Sequence, residues 1–111
     1  MSESPLRIAI NGYGRIGRNV LRAWVERGCP SALEFAAIND LGEPEALVHL
    51  TRYDSTHGRF TGKADLDHTD LIIKTTEGAI NYRIPLLQQS QPERLPWQAL
   101  NVDVVLECTG F

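Results

Sequence analysis

The chain has 111 residues, a formal charge of −3, 42% hydrophobic and 23% charged side chains, which bounds it to one small globular domain and leaves no basic field to draw nucleic acid. The opening MSESPLRIAI lacks the pattern of a signal peptide, and no run approaches the roughly 20 apolar residues of a membrane span. Cys29 and Cys108 stand far apart, outside any disulfide or metal spacing, so a soluble cytoplasmic protein without metal, membrane or nucleic-acid partners is expected.

Residues 6–10, LRIAI, read as a strand buried on both faces of a parallel sheet. They run into Asn11, Gly12, Gly14 and Gly17. From Arg15 onward Ile16, Val20, Ala23 and Trp24 recur at helical spacing, and Gly28 and Pro30 are stop signals. A second apolar run, 33–38, ends in Asn39 and Asp40, completing a strand-helix-strand unit with parallel strands. Pro44 opens a second helix through about Tyr53, with Ala46, Leu47 and Leu50 expected inward. Between 62 and 85, KADLD, LIIKT and INYRI are separated by turn formers at 68–70 and 76–78, which predicts a small antiparallel meander interrupting the parallel sheet. A connection at 88–95 leads to a short helical piece at 97–100, and VDVVLEC supplies another apolar strand.

The glycines of the first turn carry the functional signal. GxGxxG alone is weak, but here the first glycine follows a predicted strand and the third falls in the first turn of a predicted helix. Asp40 then stands at the next strand end, roughly 20 residues on. Gly12 suits a tight reversal, Gly14 lets the backbone approach a pyrophosphate, and Gly17 lets the helix pack close to the strand. The helix start points N–H groups and the positive end of its dipole at that phosphate, with Arg15 and Arg18 beside it. Asp40 would accept from the adenosine ribose and repel a 2′-phosphate, favouring NAD over NADP; it also reads simply as the start of a turn before Gly42. The predicted class is α/β: a Rossmann-type doubly wound parallel sheet with a small antiparallel meander insertion.

INGYGRIGRNVLRA, AINDL, YDSTHGRF and VDVVLECTGF resemble the amino-terminal part of the phosphorylating glyceraldehyde-3-phosphate dehydrogenase family, which also contains erythrose-4-phosphate dehydrogenase. The resemblance covers essentially the whole chain. It implies NAD bound by Arg15 and Ile16 at the turn, by Asn39 and Asp40 at the second strand end, and by Thr109 and Gly110 at the later one. With Asn11, Gly12, Gly14 and Gly17 these make up the expected cofactor site. AINDL leans toward the glyceraldehyde-3-phosphate branch, while LPWQALNVDVVLECTG also resembles the erythrose-4-phosphate branch. Where the family often has a Glu-Arg pair before Pro-Trp, this chain has Gln89 and Ser90, a departure on the adenine side.

The resemblance further implies an aldehyde oxidised through a cysteine thiolate and a histidine, with hydride transfer to NAD, phosphorolysis, and a tetrameric complete enzyme. The family's nucleophile belongs to a Ser-Cys-Thr-Thr-Asn type of sequence that this chain does not contain, and neither Cys29 nor Cys108 matches it. Both read as packing or surface residues. His57 reads as local structure or a subunit contact. The expectation is a single NAD-binding domain over 1–111, incomplete after Phe111 and catalytically inactive alone, which self-associates through an exposed apolar edge. The alternative is a stand-alone, non-catalytic NAD-binding module.

Overall fold

A computed structural model describes residues 5–54, 58–59, 63–74 and 81–109. His57, most of YDSTHGRF, the turn expected at 76–78 and Gly110 lie outside them. Strand β1 (Leu6–Asn11) leads through the glycine turn into helix α1 (Arg15–Glu26) and back to β2 (Leu33–Asn39), which pairs parallel with β1. Helix α2 (Pro44–Arg52) follows, then a small ladder of β3 (Tyr53–Asp54) and β4 (Gly58–Arg59). The meander is β5 (Lys63–Asp67), β6 (Asp70–Lys74) and β7 (Asn81–Leu87), and β8 (Val104–Glu107) closes the described chain. Among the described residues no helix is long and apolar enough to cross a membrane.

The main sheet has the order β5-β6-β7-β2-β1-β8. The meander extends this sheet instead of interrupting it. β7 pairs antiparallel with β6 from Asn81 to Pro85, and its last two residues, Leu86 and Leu87, pair parallel with Ile38 and Asn39. Pro85 sits where β7 changes partner; it has no N–H to give a ladder. Of the helical piece expected at 97–100, a single turn forms, closed by Leu100 N–H on the Pro96 carbonyl at 3.0 Å; a 3-10 turn, Pro92–Arg94, precedes it.

Both helices are rotated from the expected faces. In α1 the buried apolar residues are Gly17, Leu21, Trp24 and Val25, whereas Ile16 is 69% exposed and Ala23 is also exposed. The cause lies at Gly17. A Cβ there would stand 2.9 Å from both the Gly12 carbonyl oxygen and Ile10 Cγ2, so the helix touches β1 through this residue and Ile16 turns outward. In α2 the inner residues are Leu47, Val48 and Thr51, with Ala46 and Leu50 exposed. Here Tyr13 decides the rotation: its buried hydroxyl meets Thr51 Oγ1 at 2.6 Å, and Thr51 donates to the Leu47 carbonyl at 2.9 Å. Burial raises the Tyr13 phenol pKa well above its ordinary value.

Trp24 anchors the core beneath α1. Its ring lies edge-on to Phe35 at 5.1 Å and to Tyr82 at 4.9 Å, and its Nε1–H donates to the Pro30 carbonyl at 3.1 Å. Edge-on aromatic pairs of this kind add about 1 kcal/mol each beyond the area they bury. Gly28, at φ +84°, closes the helix, its N–H bonded to the Val25 carbonyl.

Candidate functional site

The carboxyl ends of β1, β2, β7 and β8 lie along one edge of the sheet, and a cleft of about 490 Å³ opens there. Open α/β sheets bind ligands at this edge, and the volume suits a small organic molecule. Asn11, Gly12, Gly14, Asn39, Asp40 and Thr109 line it, joined by Leu41, Gln89, Ser90, Leu95, Glu107 and Cys108.

The three glycines have three different explanations. Gly12 is held at φ +94°, and a Cβ on it would stand 2.6 Å from the backbone N and Cα of Thr109, so the fold itself demands glycine. Gly17 is demanded by the helix–strand contact. Gly14 is not demanded: its φ is −81°, and a Cβ would meet nothing closer than the Cys108 carbonyl oxygen at 3.8 Å. A reason for glycine at 14 must come from outside the chain, and a bulky group laid against the turn is one.

The helix starts differ in the same sense. α2 begins with Pro44 and Glu45 and ends with His49 and Arg52, as its dipole favours. α1 has no acid in its first turn and no side-chain cap, but carries Arg15 and Arg18 there. Charges that work against the helix's own dipole make sense where an anion is to sit. Arg15 and Ile16 are exposed directly after Gly14. Arg18 donates through its Nη1 to the Tyr13 carbonyl at 3.2 Å.

Asp40 lines the cleft, and both of its carboxylate oxygens accept backbone N–H groups. Its Oδ1 accepts from the Gly42 N–H at 2.8 Å, the expected turn, and its Oδ2 accepts from the Tyr13 N–H at 2.7 Å, tying the glycine turn to the end of β2. Each carboxylate oxygen can accept a further hydrogen bond. Because Asp40→Ala would free two backbone N–H groups at once, Asp40→Asn is the sharper variant: it keeps one acceptor and removes the charge. The expected outcome is a melting temperature within about 5 °C of the unaltered chain and a narrowed preference for NAD over NADP, read by titrating both dinucleotides; an unchanged preference would remove Asp40 from the site.

Asn11 and Asn39 are buried and bonded to each other, Asn39 Nδ2 donating to Asn11 Oδ1 at 2.8 Å. They hold the strand ends together. Thr109 is exposed at the cleft, after β8. Glu107, Leu41 and Leu95 line the same cleft and were not singled out from sequence. The available signal was that Glu107 ends its apolar run as Asn11 and Asn39 end theirs. Gln89 and Ser90, noted as a departure, do reach the cleft wall.

The residues thus brought together suit a dinucleotide. A turn open to phosphate, a helix start without acids and an acceptor carboxylate at the next strand end supply the donors and acceptors such a group needs. The family profile described as "Glyceraldehyde 3-phosphate dehydrogenase, NAD binding domain" matches residues 6–111. Two proteins of Cupriavidus necator, the plasmid and the chromosomal glyceraldehyde-3-phosphate dehydrogenase, are each 50% identical over 106 residues, or 96% of this chain. The chain spans 30% of the length of these relatives. With fold, cleft and family profile in agreement, the chain belongs to the glyceraldehyde-3-phosphate dehydrogenase family, as its NAD-binding domain.

Proposed function

We propose that this chain supplies the cofactor-binding part of a cytoplasmic enzyme that oxidises glyceraldehyde 3-phosphate with NAD and inorganic phosphate, giving the acyl phosphate and NADH. The observation that carries the reading is Gly14, the one glycine of the turn with no reason inside the fold. The pyrophosphate would lie over Gly12 and Gly14 against the start of α1, with Arg15 and Ile16 flanking it. Asp40 would take the ribose hydroxyls, and Thr109 with Gly110 would lie toward the adenosine. Asn11, Asn39 and Gly17 would act by shaping this surface. When bound, NAD supplies the hydride acceptor. Glyceraldehyde 3-phosphate is preferred over erythrose 4-phosphate because both relatives carry that name.

The cofactor part alone is proposed to be inactive. Cys29 lines a separate depression at the opposite ends of the strands, with Pro5, Leu33 and Tyr82, and β1 alone sets the two ends roughly 20 Å apart. Burial raises the pKa of its thiol. Cys108 does line the cleft, but burial and then the Glu107 charge raise its pKa as well, the opposite of what a nucleophilic thiolate needs. Mixed with aldehyde, phosphate and NAD, the chain is expected to form no NADH; production proportional to its concentration would overturn this. NAD at about a hundred times its Kd should raise the melting temperature by about 10 °C, and no shift would overturn the site. A homo-oligomer belongs to the same proposal, supported by the resemblance to a family whose complete enzymes are tetrameric. Gel filtration giving a clean monomer at high concentration would count against it.

A further inference from the structure

The sheet register puts Leu87, Asn39, Asn11 and Glu107 in one row across β7, β2, β1 and β8. At this row the parallel ladder of β2 and β7 ends, and the last backbone bond between the two chains is the Asp40 N–H on the Leu87 carbonyl at 2.9 Å. There they part. Asp40 turns off toward Gly42, while the other chain runs on into Gln89 and Ser90, one wall of the cleft. The buried side chain of Asn39 bridges the gap: its Oδ1 accepts from the Gln89 N–H at 2.9 Å and its Nδ2 donates to the Gln89 carbonyl at 3.0 Å. A carboxamide carries the donor and acceptor of a peptide group, so this side chain adds the rung that the departing backbone no longer supplies.

We propose that Asn39 is a positioning residue for NAD, acting through Gln89: its carboxamide holds the Gln89–Ser90 wall where the adenosine half of the cofactor needs it. The proposal rests on NAD occupying this cleft. Gln89 offers one donor and one acceptor, which fixes the sense of the carboxamide, and the second N–H of Asn39 Nδ2 goes to Asn11 Oδ1 at 2.8 Å. Little else secures the wall. Gln88 Nε2 donates to the Gly42 carbonyl at 2.9 Å in an exposed bond, the Gln91 N–H reaches only the Gln89 side chain, and among the described residues Ser90 makes no hydrogen bond. Gln89 and Ser90 are uncharged where the family often has a Glu-Arg pair, so no ion pair ties this wall down. Freed from Asn39, the wall would have to be ordered at the moment of binding, and fixing a single residue then costs about tenfold in affinity.

The test is calorimetric NAD titration of the unaltered chain and of Asn39→Ala, Gln89→Pro, Gln89→Ala and Gln88→Ala, with melting temperatures of the NAD-free chains. Asn39→Ala removes the clasp from the sheet side and is expected to weaken NAD binding roughly tenfold and to lower the melting temperature by about 5 °C. Gln89→Pro removes the N–H from the wall side and leaves the core alone; beside Gln89→Ala, which carries the loss of the side chain, it too should bind NAD roughly tenfold more weakly. Combined with Asn39→Ala, Gln89→Pro should cost no more affinity than Gln89→Ala does, because the bond it deletes is already gone. A purely structural role for Asn39 would lower the melting temperature without moving NAD affinity, and that result would overturn the proposal. So would additive losses in the combined variant, or a loss in Gln88→Ala as large as in Asn39→Ala, which would give the wall to the exposed bond instead. If Asn39→Ala does not fold, Gln89→Pro against Gln89→Ala decides alone, and equal affinity there overturns the proposal. Failure of the unaltered chain to bind NAD would instead overturn the cleft assignment beneath it, a result seen before any variant is compared.

Discussion

Gly12→Ala is expected to destabilise the chain by about 4 kcal/mol and to lower its melting temperature by roughly 15 °C. Two effects add. A side chain at φ +94° costs about 1–2 kcal/mol in backbone strain. The remainder comes from contact at 2.6 Å with the N and Cα of Thr109, which are backbone atoms fixed by the β1–β8 ladder and cannot swing aside as a side-chain tip would. β8 must move away from β1, and the Cys108 N–H loses its 2.7 Å bond to the Asn11 carbonyl. Thermal unfolding checks this directly; a variant as stable as the unaltered chain would show that the turn is not fixed as described.

Gly14→Ala should do the reverse. Its backbone is open to any residue and nothing in the fold crowds the new methyl, so only the weaker helix-capping of alanine counts, within about 1 kcal/mol. NAD affinity is expected to fall about a hundredfold, because a pyrophosphate pressed against the turn meets the methyl. Calorimetric titration beside a melting curve separates the two effects. Equal affinity in the variant would mean that the dinucleotide does not lie over Gly14, and the assignment of the site would have to be withdrawn.

The contrast between the two glycines marks what could be read from sequence. The strands, the glycine turn and Asp40 at the next strand end were legible because each depends on local pattern: an apolar run, a reversal, a fixed interval. The helix faces were not. Ile16 and Ala23 satisfy a helical period as well as Leu21 and Val25 do, and only the Gly17 contact with β1 chooses between them. Likewise nothing near Thr51 in sequence announces Tyr13, its partner 38 residues away. The meander was legible as a meander, but its junction with the parallel sheet depends on β7 changing partner at Pro85. The row of Leu87, Asn39, Asn11 and Glu107 needs the register of four strands, which no single segment contains.

The cleft's position also bears on the order in which the chain can assemble. β5 and β6 meet across a short turn, from Asp67 to Asp70, and β7 folds back on β6 nearby. The β1–β8 ladder instead joins Asn11 and Glu107, 96 positions apart, so its closure entropy is the largest of any described pair in the sheet. A dinucleotide spanning Gly12 and Thr109 would therefore act as a clasp between two segments far apart in sequence. It would tighten the ladder with the least local support, and slowed amide exchange in β8 is where that tightening would register.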